Sequence, residues 1–96
     1  MKVIYKYKLM DSLEEQDVLL PAGYKILTFQ VQQDYNIVFW ALVDTSKRNI
    51  RVTFKLVYTG VELKDNLDPH VVGVYYKYCA TVQTLGLVYH IFRKQE

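Results

Sequence analysis

The sequence predicts an all-β fold, a small antiparallel sandwich or barrel of about six or seven strands. Three observations carry that expectation. Apolar and polar residues alternate with a period of two along most of the chain, as half-buried strands require. No segment sustains the 3.6-residue period of an amphipathic helix. Turn signals recur at short spacing, among them Pro21-Ala22-Gly23, Asp34-Tyr35-Asn36 and Thr84-Leu85-Gly86.

The elements follow in order. In the first segment Val3, Tyr5, Tyr7 and Leu9 alternate with Lys2, Lys6 and Lys8, and only Ile4 breaks the polar row. A lysine row of this kind suits a sheet edge, where charge discourages pairing with another chain. Asp11 to Gln16 is polar and acidic and is expected to be a loop. Asp17 to Leu20 is a short strand stopped by Pro21. From Lys25 to Gln33 the alternation sets Leu27, Phe29 and Val31 on one face and Thr28, Gln30 and Gln32 on the other. Ile37 to Val43 is apolar on both faces, which marks a central strand or one covered by a second layer. Asp44 to Asn49 is a polar connection. Ile50 to Thr59 alternates again, with Val52, Phe54, Leu56 and Tyr58 opposite Arg51, Thr53 and Lys55. Gly60 to His70 is irregular. Val71 to Gln83 reads as one long, bent strand, and Leu87 to Arg93 closes the chain.

The chain has 96 residues, twelve Lys+Arg against ten Asp+Glu, and a formal charge of +2. That is one domain, residues 1–96, and neither a disordered tail nor a basic nucleic-acid binder held by many phosphate contacts. One cysteine, Cys79, allows no internal disulfide, so the fold rests on packing. Lys2, Lys6 and Lys8 interrupt any signal-peptide core. The longest stretch free of Asp, Glu, Lys and Arg runs fifteen residues, Tyr78 to Phe92, too short for a spanning helix. A soluble protein of the cytoplasm is expected, with no membrane partner. Nine tyrosines are many for this length. Six of them (Tyr5, Tyr7, Tyr58, Tyr76, Tyr78, Tyr89) fall on predicted strands, where propensity favours them. Tyr24, Tyr35 and Tyr75 do not fit the core alternation.

Chemistry-bearing patterns are few. Neither Ser12 nor Ser46 lies in a nucleophile elbow. Cys79, His90 and Asp44 are the residue types of a nucleophilic set, but Cys79 sits in an apolar run that predicts an inert buried thiol. The pairs Glu14-Glu15 and Asp65 with Asp68 lie in polar loops. Asp65, Asp68 and His70 have metal-ligand chemistry, yet Asp68-Pro69 explains the run as a turn. His90 is expected to be a core or interface histidine with a satisfied ring. There is no CxxC, HExxH, P-loop or GxGxxG pattern, so no metal, cofactor or enzyme activity is expected. Lys47, Arg48 and Arg51 cluster at one connection, and Thr59-Gly60 follows on the same strand. A few cations, backbone amides and stacked tyrosines can hold a small anion. The neutral row Thr28, Gln30 and Gln32 suits either solvent or an interface.

Longer patterns add a resemblance. They are Leu20-Pro21-Ala22-Gly23-Tyr24-Lys25-Ile26-Leu27, Val31-Gln32-Gln33, Ile37-Val38-Phe39-Trp40-Ala41-Leu42-Val43-Asp44, Phe54-Lys55-Leu56-Val57-Tyr58-Thr59-Gly60, and Ala80-Thr81-Val82-Gln83 with Gly86-Leu87-Val88-Tyr89-His90-Ile91-Phe92. Together they resemble a family of small phage-encoded single-domain proteins of unknown function. The Asp34-Tyr35-Asn36 turn and the Tyr78-Cys79 pair depart from that pattern. The resemblance implies a phage origin and supplies no activity; by analogy of origin, such proteins act by binding a host protein or a host signalling nucleotide. The expectation is therefore a non-enzymatic binding protein that blunts host antiviral defence in the infected cell by sequestering a nucleotide-derived signal. Arg48, Arg51, Tyr58, Thr59 and Tyr75 are its candidate contacts. A module that inhibits a host protein, or a virion structural or assembly protein, are the alternatives. Self-association into a homo-oligomer fits all three.

Overall fold

A computed structural model describes residues 1–61 and 76–95. Seven strands and no helix occur among them: β1 (Lys2–Leu9), β2 (Gln16–Pro21), β3 (Lys25–Val31), β4 (Ile37–Asp44), β5 (Asn49–Tyr58), β6 (Tyr76–Thr84) and β7 (Leu87–Lys94). They form two sheets, β1-β4-β3 and β2-β5-β7-β6, and every neighbouring pair is antiparallel. Of the two predicted architectures, the fold is the sandwich.

The alternation decides the packing. On β4, Ile37, Phe39, Ala41 and Val43 face inward and are all buried; opposite them lie Val52, Phe54 and Leu56 of β5 and Tyr89 and Ile91 of β7. Phe39 and Phe54 meet across the two layers with ring centroids 5.2 Å apart, and Tyr7 and Phe29 flank Phe39 at 5.3 and 5.2 Å. Four aromatic rings in stacked, tilted and edge-on contacts fill the centre at the spacing such pairs favour. β4 is central in its sheet and β1 is an edge, as its apolar faces and the lysine row respectively predict. Pro21, which cannot donate to a ladder, ends β2 on the edge of the other sheet.

Two local departures from the expected pattern matter for the site. In β3 the register shifts between Ile26 and Thr28. Leu27 is the extra residue of a β-bulge and is exposed, while Ile26 packs against the core in its place. In β6 the register shifts between Tyr78 and Ala80, leaving Cys79 as the extra residue. The predicted long strand from Val71 begins at Tyr76 among the described residues; residues 71–75 lie outside them.

Two hairpins close the ends. Asp34 accepts bonds from the Asn36 backbone N–H at 3.2 Å and its side-chain amide at 2.5 Å, holding Tyr35 at φ +64°. Those bonds also hold the Asp34 carboxyl below its ordinary pKa. The β6–β7 turn places Leu85 at φ +52° and Gly86 at +79°. Left-handed backbone at both central positions is the geometry a two-residue hairpin needs to match strand twist. Thr84 joins the two hairpins by donating to the Tyr35 carbonyl at 3.3 Å.

Candidate ligand cleft

The sandwich opens along one side, where β3 ends one sheet and β6 ends the other. A cleft of about 700 Å³ lies there. Gly23, Tyr24, Ile26, Leu27, Thr28 and Phe29 line one wall, with Ile50 beside them; Lys77, Tyr78, Cys79, Ala80, Arg93 and Gln95 line the other. Both bulge residues, Leu27 and Cys79, are therefore in its walls. Bulges interrupt a ladder and re-aim side chains, and they recur beside functional sites.

The polar wall has a simple origin in the alternation. Along β7, Tyr89 and Ile91 point into the core, and the next inward position is Arg93. Its register partner on β6 is Lys77. Near the end of the strands the inward face thus carries two cations where further in it carries a tyrosine and an isoleucine. Arg93 Nη1 donates to the Tyr24 hydroxyl at 2.5 Å, and its guanidinium carbon lies 5.8 Å from the centre of that ring. The contact joins a hydrogen bond to a cation–π geometry and fixes Arg93 at the mouth. No carboxylate lines the cleft among the described residues. Burial pushes the Cys79 thiol pKa up, and the positive charges of Arg93 and Lys77 offset only part of that. A raised pKa favours the protonated thiol, the less nucleophilic of its two states, in the cleft wall.

A second polar feature runs from the cleft wall across the outer face of the four-stranded sheet. The Tyr78 hydroxyl shares a hydrogen bond of 2.6 Å with Thr81 Oγ1. Thr81 Oγ1 in turn bonds His90 Nδ1 at 2.9 Å, and His90 Nε2 bonds Thr59 Oγ1 at 2.7 Å. Both ring nitrogens of His90 are satisfied by hydroxyls, as expected of a structural histidine. Hydroxyls donate or accept, so the row accommodates the imidazole in either tautomer.

The chain belongs to the DUF7352 family. This domain of unknown function matches residues 1–96, the whole of the sequence. No curated protein and no solved structure gives a significant match.

In this DUF7352 domain the residues singled out in the sequence are spread rather than gathered. Arg48 lies in the β4–β5 connection, where its carbonyl accepts from Ala22 N at 2.8 Å. Arg51, on the outer face near the start of β5, faces Asp17 at 3.5 Å and is 74% exposed. Tyr58, at the far end of β5, stacks on Tyr89 with centroids 5.0 Å apart. Thr59 follows it and reaches His90. At about 3.3 Å of rise per residue, Arg51 and Thr59 are about 26 Å apart. Tyr75, with Asp65, Asp68 and His70, lies outside the described residues. Among the described members of the set, Thr59 alone connects to the cleft, through His90, Thr81 and Tyr78. Sequence reasoning passed over Arg93 and Lys77. The signal that finds Arg93 is a charge at an inward position, two residues past Ile91.

Among the described residues no group of three or more His, Cys, Asp or Glu converges on a common point. No helix there is long and apolar enough to cross a membrane.

Proposed function

We propose that this DUF7352 domain is a non-enzymatic binding protein that captures a small nucleotide-derived anion in the cleft between β3 and β6. The observation that carries the reading is the lining of that cleft. Lys77 and Arg93 meet no carboxylate there among the described residues, and an apolar wall of Ile26, Leu27, Phe29 and Ile50 faces them. A phosphate suits the cationic wall and a flat base suits the apolar one. The volume falls in the range of small-molecule sites, about 300–1,000 Å³. The resemblance to phage-encoded proteins supplies the biological setting: withdrawal of a defence signal in the cytoplasm of the infected host cell.

The test is a thermal-shift panel of cyclic mono-, di- and trinucleotides and cyclic ADP-ribose isomers. A ligand at a hundredfold excess over its Kd stabilises the native state by about 2.7 kcal/mol, a shift of several degrees. Arg93→Ala and Lys77→Ala should abolish that shift, while Arg51→Ala should leave it intact. Loss of the shift in Arg51→Ala with retention in Arg93→Ala would move the site to the outer face of β5. No shift with any compound would remove the nucleotide reading.

A further inference from the structure

We propose that the outer edge of β1, which no other strand among the described residues covers, is a second binding surface that takes an extended acidic segment of a partner protein as an added strand. It stands apart from the ligand reading of the cleft, because β1 is the opposite edge of the three-stranded sheet. Failure of either reading leaves the other in place.

β1 pairs with β4 along eight residues, and no other strand among the described residues pairs with it. An unpaired edge turns a row of N–H and C=O groups outward, ready to template another strand. The side chains along it have a definite pattern. Lys2, Lys6 and Lys8 share the outer face with Ile4, while Val3, Tyr5, Tyr7 and Leu9 share the inner one. Mid-strand, Ile4 is 59% and Tyr5 48% exposed, so both faces of the edge offer apolar surface beside the charges.

Those charges close no ion pair among the described residues, although Lys8 helps hold the Asp34 carboxyl below its ordinary pKa from a greater distance. The two ion pairs among the described residues are Met1 with Asp44 and Arg51 with Asp17, and neither uses a β1 lysine. Lys6 donates to the neutral Gln32 amide oxygen at 3.1 Å. Asp44, the carboxylate nearest Lys2 in the register, already accepts from the Met1 ammonium and from the Ser46 hydroxyl and N–H. Lys25 of β3 adds a fourth cation on the same face of the sheet.

This pattern selects its occupant. A second copy pairing β1 to β1 would bring lysine rows together, and like charges across strands are destabilising. Single-stranded nucleic acid wants several stacking rings, and along this edge Tyr5 is the exposed aromatic residue. An extended segment alternating Glu or Asp with apolar residues satisfies both faces. Its carboxylates would lie across from Lys6 and Lys8, its apolar side chains would cover Tyr5 and Tyr7, and its backbone would complete the ladder.

The experiment titrates the protein, followed by amide NMR, with a capped peptide of alternating Glu and Val. Parallel titrations use its Lys-for-Glu counterpart, versions N-methylated along either edge, and a single-stranded oligothymidylate. The proposal expects the Glu peptide to protect β1 amides from exchange and the Lys peptide to do nothing. N-methylation along one edge should abolish binding, and the double variant K6E/K8E should weaken it about tenfold. Lys6 and Lys8 are exposed, and a melting curve confirms that the variant is folded. Unchanged binding by both N-methylated peptides would reduce the surface to bulk charge and overturn strand addition. Equal or tighter binding of the oligothymidylate would assign the edge to nucleic acid instead. Absence of Glu-peptide binding at millimolar concentration would also overturn the proposal.

Discussion

The two sheets carry similar inner faces and opposite outer ones. Both turn alternate apolar residues into a common core, and both expose polar residues on the other side. On the four-stranded sheet the outer polar groups bond to one another: Asp17 accepts from Thr53 at 2.6 Å, and Thr59, His90, Thr81 and Tyr78 form a continuous row. Tyr76 is buried against Val57 and Phe92 and donates to Glu15. On the three-stranded sheet Val38 is buried between Lys8 and Gln30 on the neighbouring strands, Trp40 is half-buried, and the lysines form no ion pair among the described residues, Lys8 acting on Asp34 only at longer range. A polar group satisfied inside the fold is committed to stability, whereas a charge left without a partner is available for recognition.

The comparison breaks first where the sheets are alike. Phe54 is fully buried and touches the rings of Phe29 and Phe39 from the opposite layer. Phe54→Ala should cost about 3–5 kcal/mol, the usual penalty for emptying an aromatic core position. Urea unfolding measures it. A loss below about 1 kcal/mol would mean that the two layers are not joined through this ring.

The next effect belongs to the outer face of the four-stranded sheet. Tyr76→Phe keeps the ring between Val57 and Phe92 but removes the hydroxyl from Glu15, and should cost about 1–2 kcal/mol. The same group gives the sheet a pH signature. Burial, with Glu15 beside it, pushes the Tyr76 pKa up to about 12. Tyr89 is likewise pushed up to about 12, chiefly by its hydrogen bond with Tyr58 and then by burial. A raised pKa means that the folded state holds the proton more tightly than the unfolded chain, whose tyrosines titrate near 10. This contribution to stability is complete below about pH 10 and is lost as pH climbs through about 12. Stability measured against pH should fall across that window, and Tyr76→Phe should flatten the fall without removing it, because Tyr89 remains. An unchanged slope would show that Tyr76 does not lose its proton with unfolding.

A smaller change of opposite sign tests the one local misfit of that sheet. Leu85 adopts a left-handed backbone, which disfavours side chains other than Asn, Asp or Gly, and its side chain is 67% exposed. Leu85→Asn gives up little burial and suits the turn, so it should stabilise the protein by about 0.5–1 kcal/mol. Thermal unfolding checks it, and a lower Tm would argue against the two-residue geometry.

What the sequence disclosed of all this follows from its period. β1, β4, β5 and β7 are legible because each keeps its parity from end to end. β3 and β6 are only half legible, because one inserted residue reverses parity without a local cue: Leu27 is as apolar as an inward residue and Cys79 as small as many that are buried. The site was harder to see for a different reason. Arg48, Arg51, Tyr58 and Thr59 are neighbours in the chain, but an extended strand carries neighbours apart, whereas Tyr24 and Arg93 meet across 69 positions. Parity alone exposes Arg93, and no property of the sequence indicates that β3 and β6 stand at the same open side.

The smallest effect is the one that decides what the lysines are for. Lys6 and Lys8 stand two residues apart on the same face of β1, opposite Trp40 and Val38 of β4. Gln at both positions keeps most of each stem over those apolar neighbours, so the packing that long side chains provide is largely retained. What disappears is the ammonium of the exposed Lys6–Gln32 bond, the long-range pull of Lys8 on Asp34, and, against these, the mutual repulsion within a face that also carries Lys2 and Lys25. If these charges served folding, their removal would cost stability. If they serve recognition, K6Q/K8Q should lie within about 0.5 kcal/mol of the parent, and on the stable side at low salt. Added salt screens the repulsion in the parent and should narrow that difference. Urea unfolding of both proteins at low and high ionic strength provides the readout. A loss above about 1 kcal/mol that salt does not alter would place these lysines with Tyr76 and His90, as parts of the fold, and erase the contrast between the two faces.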